Sequence, residues 1–213
     1  MIDLSGSQPF AEGGNRRCFR HPTDAGRCLK VMKPGVVEHR LAARPWYRRL
    51  RGRAAVDDNK REAATYRQRA IRKGGERIWE HLPRFHGVTL GPANETDFIA
   101  VNNSPAPTLA SLIAERGLDD QLIAALGAFE DWLRHTELLT HNLLPHNLVV
   151  QHHRLYLIDG IAPPFIANVL GISRHWRQYW VERRIRRMWL RLHWEAQGRP
   201  GSWEAVEAKD REG

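Results

Sequence analysis

One segment in the C-terminal half of the sequence constrains the fold of this chain more than any other. Residues 142–150 read N-L-L-P-H-N-L-V-V, and residues 157–160 read L-I-D-G. Between them, the turn residues Gln151-His152-His153 separate two apolar runs, a pattern that predicts a β-hairpin. Such a hairpin would bring the amide oxygen of Asn147, at its base, and the carboxylate of Asp159, at its end, toward one point. Two oxygen ligands of this kind suit Mg²⁺ when phosphate oxygens and water complete its coordination.

The same segment resembles the catalytic loop of protein kinases, D-L-K-P-E-N followed by two apolar residues, and then the D-F-G metal motif. The resemblance implies a protein-kinase-like fold in which Asn147 and Asp159 hold the magnesium of a bound nucleotide. It also places Asn142 at the position of the catalytic aspartate and Leu144 at that of the loop lysine. The alternative is that Asn147 begins a strand and that Asp159-Gly160 forms an ordinary turn.

Asn142 leaves the chemistry open. An amide can orient a substrate hydroxyl but cannot accept its proton at neutral pH, and general-base catalysis contributes about 10²–10⁴-fold. Phosphoryl transfer depends more on positioning and charge neutralisation, so the loss of that base need not abolish turnover. His141 and His146 flank Asn142 closely enough to replace the base, whereas solvated loop histidines are the simpler interpretation.

A second constellation lies in the N-terminal half. Strand alternation over residues 28–32, C-L-K-V-M, places Lys30 on one face between two sulphur-bearing side chains, where a cation is unfavourable unless it meets an anion. Lys30 matches the strand lysine of kinases that pairs with nucleotide phosphates, and Glu62, near the start of the next helix, matches its usual partner. The order of the two residues favours an ion pair, although each alone is typical of a surface charge.

Two further positions complete the expected nucleotide site. Gly13 and Gly14 would form the turn between the first two strands, where backbone amides can approach phosphates. Asn102 ends the run I-A-V-N and precedes a proline-broken loop, an arrangement that resembles the hinge between kinase lobes, where adenine bonds the backbone. The sequence therefore predicts ATP and Mg²⁺ as ligands, with Lys30 and Glu62 clamping the phosphates.

Another segment is typical of a smaller family. Residues 12–22 read E-G-G-N-R-R-C-F-R-H-P and contain the pattern R-x-C-(F/Y)-x-H-P, which residues 27–31, R-C-L-K-V, and 82–87, L-P-R-F-H-G, accompany. These stretches resemble the YrbL family, the PhoP regulatory network proteins, from about residue 8 to residue 194. The resemblance implies a protein-kinase-like fold and leaves the biochemical activity open.

The predicted elements are of the α+β class: strands, one helix, further strands and then mainly helices. A small β-rich N-lobe with one helix spans residues 8–103 and includes a basic insertion, residues 33–56. A reduced, mainly helical C-lobe spans residues 104–200, and residues 201–213 are expected to form a disordered tail. Strands are predicted near 84–90 and 97–102, and helices over 57–73, 108–117 and 119–133.

The chain carries 33 Lys and Arg against 24 Asp and Glu, a formal net charge of +9. Such an excess favours polyanionic partners, although an arginine-rich genome composition explains it equally well. No recognised nucleic-acid-binding module is present, and no apolar run approaches the roughly 18 residues of a membrane span. With neither a secretory signal nor a CxxC motif, the sequence predicts a cytoplasmic protein with two reduced thiols, Cys18 and Cys28.

Residues 174–194 form a predicted helix rich in arginine and tryptophan. Its apolar positions follow helical spacing opposite the basic ones. The apolar stripe is Trp176, Trp180, Val181, Ile185, Met188, Trp189 and Leu192, and the basic residues are Arg174, Arg177, Arg183, Arg184, Arg186, Arg187 and Arg191. Two interpretations stay open. The helix lies peripherally on the anionic inner face of the membrane, or it packs its stripe on the C-lobe and leaves the arginines solvated.

Two functions from different classes follow. In the first, the chain is an ATP-dependent phosphotransferase acting on a non-protein hydroxyl, such as that of an envelope sugar or a phosphorylated glycolipid, because no A-P-E-like segment follows Gly160. Asn142 would then orient the acceptor, with Lys30 and His141 completing the catalytic set. In the second, the chain is a nucleotide-binding pseudokinase that regulates a partner, as Asn142 and Leu144 together favour.

Overall fold

The chain divides into two units that differ in secondary structure. The computed structural model describes residues 2–50, 52–67, 71, 74–89, 91, 93–161 and 172–212. One unit comprises Met1–Arg72 and Pro83–Ile99, and the other comprises Lys73–Leu82 and Ala100–Gly213. The first is β-rich and the second mainly helical, so the α+β class is confirmed. The division falls at Ile99 rather than at residue 103, and Lys73–Leu82 groups with the second unit.

The first unit contains a five-stranded antiparallel sheet with the strand order β1-β2-β3-β5-β4. Its strands are β1 (Ala11–Glu12), β2 (Arg16–Arg20), β3 (Arg27–Met32), β4 (Phe85–Val88) and β5 (Asn94–Asp97). Phe19, Leu29 and Ala93 form a buried apolar cluster of this unit. β5 precedes most of the strand predicted over 97–102. The difference arises because Asn94 and Thr96 are polar yet buried, which the hydrophobic pattern does not reveal.

The helix that packs against this sheet is α3 (Asp58–Thr65), and Asp57 caps it by accepting from the Lys60 N–H at 3.0 Å. Within the predicted remainder of this helix, residues 68–70 and 72–73 lie outside the described residues. The basic insertion forms two helices that the sequence did not predict, α1 (Val36–Ala42) and α2 (Trp46–Arg49), and a 3₁₀ turn, Arg53–Ala55. Arg40 of this insertion pairs with Asp58 at 2.8 Å, whereas Arg44 and Arg49 donate to backbone carbonyls.

The second unit follows the predicted order. It begins with the short hairpin β6 (Ala100–Val101) and β7 (Ser104–Pro105), followed by α4 (Leu109–Arg116) and α5 (Asp120–Thr136). Thr108 and Asp119 cap the two helices through their side chains. The predicted hairpin is present as β8 (Leu148–Gln151) and β9 (Arg154–Leu157), with His152 and His153 at positive φ in its turn.

Two helices complete the second unit. α6 (Arg174–Ala196) buries the middle of the predicted stripe, namely Trp180, Val181, Ile185, Met188 and Leu192. α7 (Trp203–Glu212) occupies the segment expected to be disordered, so that expectation is wrong. Ion pairs explain the helix, because Asp210 meets Arg186 at 2.6 Å and Glu207 meets Arg187 at 2.7 Å. Among the described residues, no helix is long and apolar enough to cross a membrane.

Candidate nucleotide site

Two elements of the first unit bring Lys30 and Glu62 together. Lys30 lies in β3, and Glu62 lies one turn into α3. The Nζ atom of Lys30 is 2.5 Å from Oε1 of Glu62, and only 6% and 4% of the two side chains are exposed. Because a buried charge is unfavourable without compensation, each residue depends on the other. Kinases use this combination of lysine and glutamate to hold nucleotide phosphates.

Glu62 has more partners than such a pair requires. Arg16, from β2, donates to Oε2 of Glu62, and its side chain is 10% exposed. Asn94, from β5, donates to the same oxygen at 3.4 Å and to the backbone oxygen of Asn59 at 2.9 Å. Asn59 in turn donates to the backbone oxygen of Lys30 at 2.8 Å. A buried polar network that joins three strands to α3 therefore surrounds the carboxylate.

Sequence reasoning missed Arg16, Asn59 and Asn94. A signal for Arg16 was present, because strand alternation puts it on the same face of β2 as Cys18, and Cys18 pairs directly with Lys30 across the sheet. The two asparagines carry no such signal, since a buried amide is recognised by its hydrogen-bond partners rather than by its neighbours in sequence.

Cys18 and Cys28 share the sheet face that carries Lys30. Both thiols are free, as the sequence predicts, with Cys28 buried and Cys18 half-buried. Burial raises the pKa of each thiol above its usual range, although the nearby Lys30 acts in the opposite direction. Both thiols are therefore protonated at neutral pH and are not activated nucleophiles.

In the second unit, Asn147 lies at the end of a short loop that precedes the hairpin. It closes the 3₁₀ turn Pro145–Asn147, and its Nδ2 is 3.4 Å from the backbone oxygen of Asn142. That contact turns Oδ1, the atom that a metal would bind, to the other side of the amide. The far end of the hairpin returns beside it, because the Ile158 N–H donates to the Asn147 carbonyl at 2.9 Å.

Gly160 joins this loop to Asp159. Its carbonyl accepts from the His141 N–H at 2.7 Å and from the Asn142 N–H at 3.4 Å. Its own N–H donates to the exposed carboxylate of Asp159 at 2.7 Å. A Cβ added at Gly160 would lie only 2.5 Å from the Asn142 oxygen and 3.2 Å from Nδ2 of Asn147. The Asn147 amide therefore packs directly against the residue that follows Asp159.

Asn147 and Asp159 fit a magnesium ion that is bound together with a nucleotide. Mg²⁺ in such sites takes one or two protein oxygens and fills its remaining positions with phosphate oxygens and water. In the part of the chain that the structure describes, no group of three His, Cys, Asp or Glu side chains could hold a metal. A metal at Asn147 and Asp159 would therefore depend on phosphate for its coordination.

The other predicted binding positions lie in turns. Gly13 and Gly14 connect β1 to β2. Asn102 lies in the turn between β6 and β7 with φ at +49°. Close to it, Nε2 of Gln151 donates to the Ala100 carbonyl at 2.5 Å. The segment that resembles a kinase hinge thus uses one of its backbone acceptors within the chain.

The arginines of α6 are mostly engaged by acids of the second unit. The ion pairs are Arg174–Glu137, Arg177–Glu137, Arg186–Asp210, Arg187–Glu207 and Arg191–Glu195. Arg184 differs, because its Nε is buried and finds no acceptor among the described residues. Burial, together with Arg187 and Arg183, lowers the pKa of Arg184 to about 10. The structure thus shows a packed stripe with largely paired arginines, and lipid contact stays a prediction.

Comparison with known proteins agrees with the resemblance found in the R-R-C-F-R-H-P segment. The profile of the family "PhoP regulatory network protein YrbL" matches residues 2–197, nearly the whole chain. The chain belongs to the YrbL family. The YrbL proteins of Escherichia coli (strain K12) and Shigella flexneri are each 27% identical to this family member over 204 residues, which covers 90% of this chain and 86% of theirs.

Solved kinase domains are also similar to this YrbL-family chain. One structure of the Mycobacterium tuberculosis PknI kinase domain is 17% identical, covers 88% of this chain and 75% of that chain, and has a TM-score of 0.47. A second structure of that domain is 18% identical, covers 85% and 69%, and has a TM-score of 0.44. At these TM-scores the solved structures carry no argument by themselves. The order of the elements and the Lys30–Glu62 pair support the kinase-like fold.

Proposed function

We propose that this YrbL-family chain binds Mg²⁺-ATP and transfers the terminal phosphoryl group to a hydroxyl of a non-protein acceptor. The observation that carries the proposal is the buried pair of Lys30 and Glu62, with Nζ and Oε1 2.5 Å apart. Burying each ion costs several kcal/mol, and contact with an anionic ligand would help to compensate the buried charge of the lysine. Asn147 and Asp159, two residues of the second unit with oxygen atoms suited to Mg²⁺, also support Mg²⁺-ATP as the ligand.

Each of these residues has a distinct proposed role. Lys30, held by Glu62, binds the phosphates, and Asn147 and Asp159 hold the magnesium. Bound Mg²⁺-ATP supplies the phosphoryl group, and its metal neutralises charge on the phosphate oxygens. Asn142 orients the acceptor hydroxyl through its side-chain amide, since the loop that carries it is fixed to Gly160.

His141 is the proposed acceptor of the hydroxyl proton. In the transfer, the acceptor oxygen forms a bond to phosphorus, the bond to the leaving ADP oxygen breaks, and the proton passes to a base. His141 is exposed and adjacent to Asn142, and its backbone N–H donates to the Gly160 carbonyl at 2.7 Å. An imidazole can accept a proton near neutral pH, which the amide of Asn142 cannot do.

The proposed acceptor is the hydroxyl of an envelope sugar or of a phosphorylated glycolipid, met at the anionic inner face of the membrane. Support comes from the net charge of +9 and from Arg183, an exposed residue that adds basic surface to α6 beyond its ion-paired arginines. Basic residues near an anionic surface each contribute about 1 kcal/mol to binding. The chain would then act as a cytoplasmic protein that visits the membrane peripherally.

A second function is favoured by Asn142 itself. A site that keeps Lys30, Glu62 and the metal ligands but lacks the catalytic carboxylate can bind nucleotide without turning it over. In that case the chain is a pseudokinase, and nucleotide binding regulates a partner.

Thermal unfolding in the presence of ATP tests the binding step. A ligand at about 100 times its Kd stabilises the folded state by roughly 2.7 kcal/mol, so the Tm of the wild type should rise when ATP and Mg²⁺ are both present. Lys30→Met and Asp159→Ala should remove most of this rise. Lys60→Met, on the exposed side of α3, is the matched control and should keep it. No Mg²⁺-dependent rise at millimolar ATP would refute the proposal.

Turnover then distinguishes the two functions. Mg²⁺-dependent ATP hydrolysis that is clearly weaker in Asn142→Ala and His141→Ala supports the phosphotransferase. Nucleotide that binds without hydrolysis, and without transfer to envelope sugars or glycolipids offered as acceptors, supports the pseudokinase.

A further inference from the structure

Three large apolar side chains of the basic insertion, residues 33–56, are exposed within a stretch of five residues. They are Trp46, Tyr47 and Leu50, which are 75%, 53% and 81% exposed. Trp46 begins α2 and Leu50 directly follows it, so one helical turn brings their side chains to the same side. The rings of Trp46 and Tyr47 meet edge to face with their centres 6.2 Å apart. Isolated exposed apolar residues are ordinary on a protein surface, whereas a contiguous group of large ones indicates a contact surface.

The segment that carries this apolar group is strongly basic. Residues 33–56 contain one lysine and six arginines against a single acid, Glu38. The ion pairs of the segment are Lys33 with Glu12 at 2.8 Å, Arg40 with Asp58 at 2.8 Å, and Arg53 with Glu38. A surface with such an excess of cations attracts an anionic partner.

Arg49 places one of these charges beside the apolar group. It is exposed and directly precedes Leu50. Its Nε donates to the Arg44 carbonyl at 2.8 Å, and its Nη2 donates to the Ala42 carbonyl at 2.7 Å. Carbonyl oxygens orient the guanidinium without neutralising it, and among the described residues no carboxylate pairs with Arg49. An oriented cation therefore lies next to exposed aromatic and aliphatic side chains, a combination that is typical of proteins bound at a membrane interface.

We propose that Trp46, Tyr47 and Leu50, with Arg49 beside them, dock the chain on an anionic lipid bilayer. Tryptophan and tyrosine are favoured at the level of the headgroups, leucine enters the boundary with the acyl chains, and arginine binds lipid phosphate. A nucleic acid would stack on the two rings but would leave Leu50, the most exposed of the three, without a contact. The inference deepens the membrane visit of the proposed function, on which its choice of partner rests, by naming a docking surface in the first unit.

Co-sedimentation of the full chain with vesicles tests this surface. The anionic vesicles contain phosphatidylglycerol and phosphatidylcholine, and the neutral ones contain phosphatidylcholine alone. Trp46→Ser combined with Leu50→Ser should lower partitioning onto anionic vesicles by about tenfold or more, because two apolar side chains no longer leave water. Arg49→Gln keeps a donor for the carbonyl contacts and removes the charge, so it should lower the same partitioning by about fivefold and leave the neutral vesicles unaffected.

Matched variants control for a general loss of apolar surface or of charge. Val88→Ser combined with Ile123→Ser removes two exposed apolar side chains outside the insertion, and Arg154→Gln removes one exposed charge from β9. Both should keep the partitioning within about twofold, because neither touches the proposed surface. Equal losses in the test and control variants would overturn the inference, as would unchanged partitioning in the variant of Trp46 and Leu50.

Fluorescence quenching by brominated lipid identifies which tryptophan enters the bilayer. Trp46→Phe keeps an aromatic side chain, so it should bind anionic vesicles within about twofold of the wild type and lose most of the quenching. Quenching that persists in full would place another tryptophan in the bilayer and overturn the inference. Should the double serine variant not fold, this measurement decides the question alone.

The other occupants of this surface are also outcomes of the test. A single-stranded oligonucleotide that binds the wild type and displaces it from vesicles, with both interactions lost in the variant of Trp46 and Leu50, would assign the surface to nucleic acid. A wild type that is dimeric by light scattering, and becomes monomeric in that variant, would assign it to a second copy of the chain. Either result would overturn the inference.

The same measurements distinguish failure of this inference from failure of the proposed function. Vesicle binding that survives in the variant of Trp46 and Leu50 but is lost in Arg183→Gln overturns the inference and keeps the membrane visit, with α6 as its surface. A wild type that binds no anionic vesicles overturns the inference together with the membrane visit. The rise of Tm with Mg²⁺-ATP tests nucleotide binding separately, and its absence would refute the proposed function while lipid docking through Trp46 and Leu50 stands.

Discussion

Replacing Gly160 with alanine is the sharpest probe of the loop that carries Asn142 and Asn147. Gly160 has φ at +80°, in the left-handed region, and a Cβ there would lie 2.5 Å from the Asn142 oxygen. Carbon and oxygen atoms that are not bonded do not approach so closely, so one of the two chain segments must move. Because the Gly160 carbonyl accepts from the His141 N–H at 2.7 Å, this movement also disturbs that hydrogen bond.

Three separable effects lower the free energy of unfolding of Gly160→Ala. A side chain in the left-handed region costs about 1–2 kcal/mol. Forcing an extra methyl group against packed backbone costs about 1–3 kcal/mol. A weakened backbone hydrogen bond contributes about 0.5–1.5 kcal/mol. Gly160→Ala should therefore lower the free energy of unfolding by roughly 3–6 kcal/mol, a large part of the 5–15 kcal/mol typical of a folded domain.

Gly198→Ala isolates the backbone contribution. Gly198 has φ at +75° after α6, and no atom lies within 4 Å of a Cβ built there. Urea denaturation of both variants, followed by tryptophan fluorescence, should give Gly160→Ala a free energy of unfolding at least roughly 2 kcal/mol below that of Gly198→Ala. Equal losses in the two variants would show that Gly160 is not held against Asn142, and the described geometry of the loop would be refuted.

Three further predictions concern catalysis, acid stability and lipid contact. Asn142→Asp restores a carboxylate at the base position and should raise ATP turnover by about 10²-fold or more if the chain is a phosphotransferase; a rate equal to that of the wild type would exclude residue 142 from proton transfer. Burial lowers the pKa of His81, whose Nδ1 donates to the Leu155 carbonyl at 2.7 Å, so protonation favours the unfolded state. Urea titrations should show full stability above about pH 6.5 and a loss of up to about 1.4 kcal/mol per pH unit below it. His81→Gln should flatten this slope, and a slope unchanged in that variant would contradict the assignment. Arg183→Gln should reduce co-sedimentation with anionic vesicles but not with neutral ones, whereas Arg154→Gln, which removes an equal charge at an exposed position of β9, should matter less; unaltered partitioning would count against the membrane proposal.

The sequence revealed the second-unit loop because its determinants are local. Asn147 and Asp159 flank a hairpin whose turn, His152-His153, is readable from its neighbours in the chain. Lys30 and Glu62 could be predicted from the sequence for a different reason, since their order and residue types match a known pattern. The contact between Arg16 and Glu62 could not be predicted, because it depends on strand pairing and helix packing that no local pattern specifies.

Two other features lay beyond the sequence for related reasons. β5 begins at Asn94, a polar residue that is typical of turns, and its buried Nδ2 donates hydrogen bonds to the backbone of Asn59 and to Glu62, whereas its Oδ1 has no hydrogen-bond partner among the described residues. Residues 201–213 were expected to form a disordered tail, and the partners that stabilise α7 lie on α6. In both cases the deciding contacts join residues far apart in the chain.

The position of α7 has a consequence for how this protein can diverge from its relatives. The family match ends at residue 197, and α7 begins at Trp203. Glu207 and Asp210, the acids that neutralise Arg187 and Arg186, therefore lie outside the segment that defines the family. Two relatives can share the same fold and differ in whether these arginines face acids or solvent. Substitutions in this terminal helix can thus change surface charge and salt sensitivity without changing the buried polar network around Glu62 or the loop that packs against Gly160.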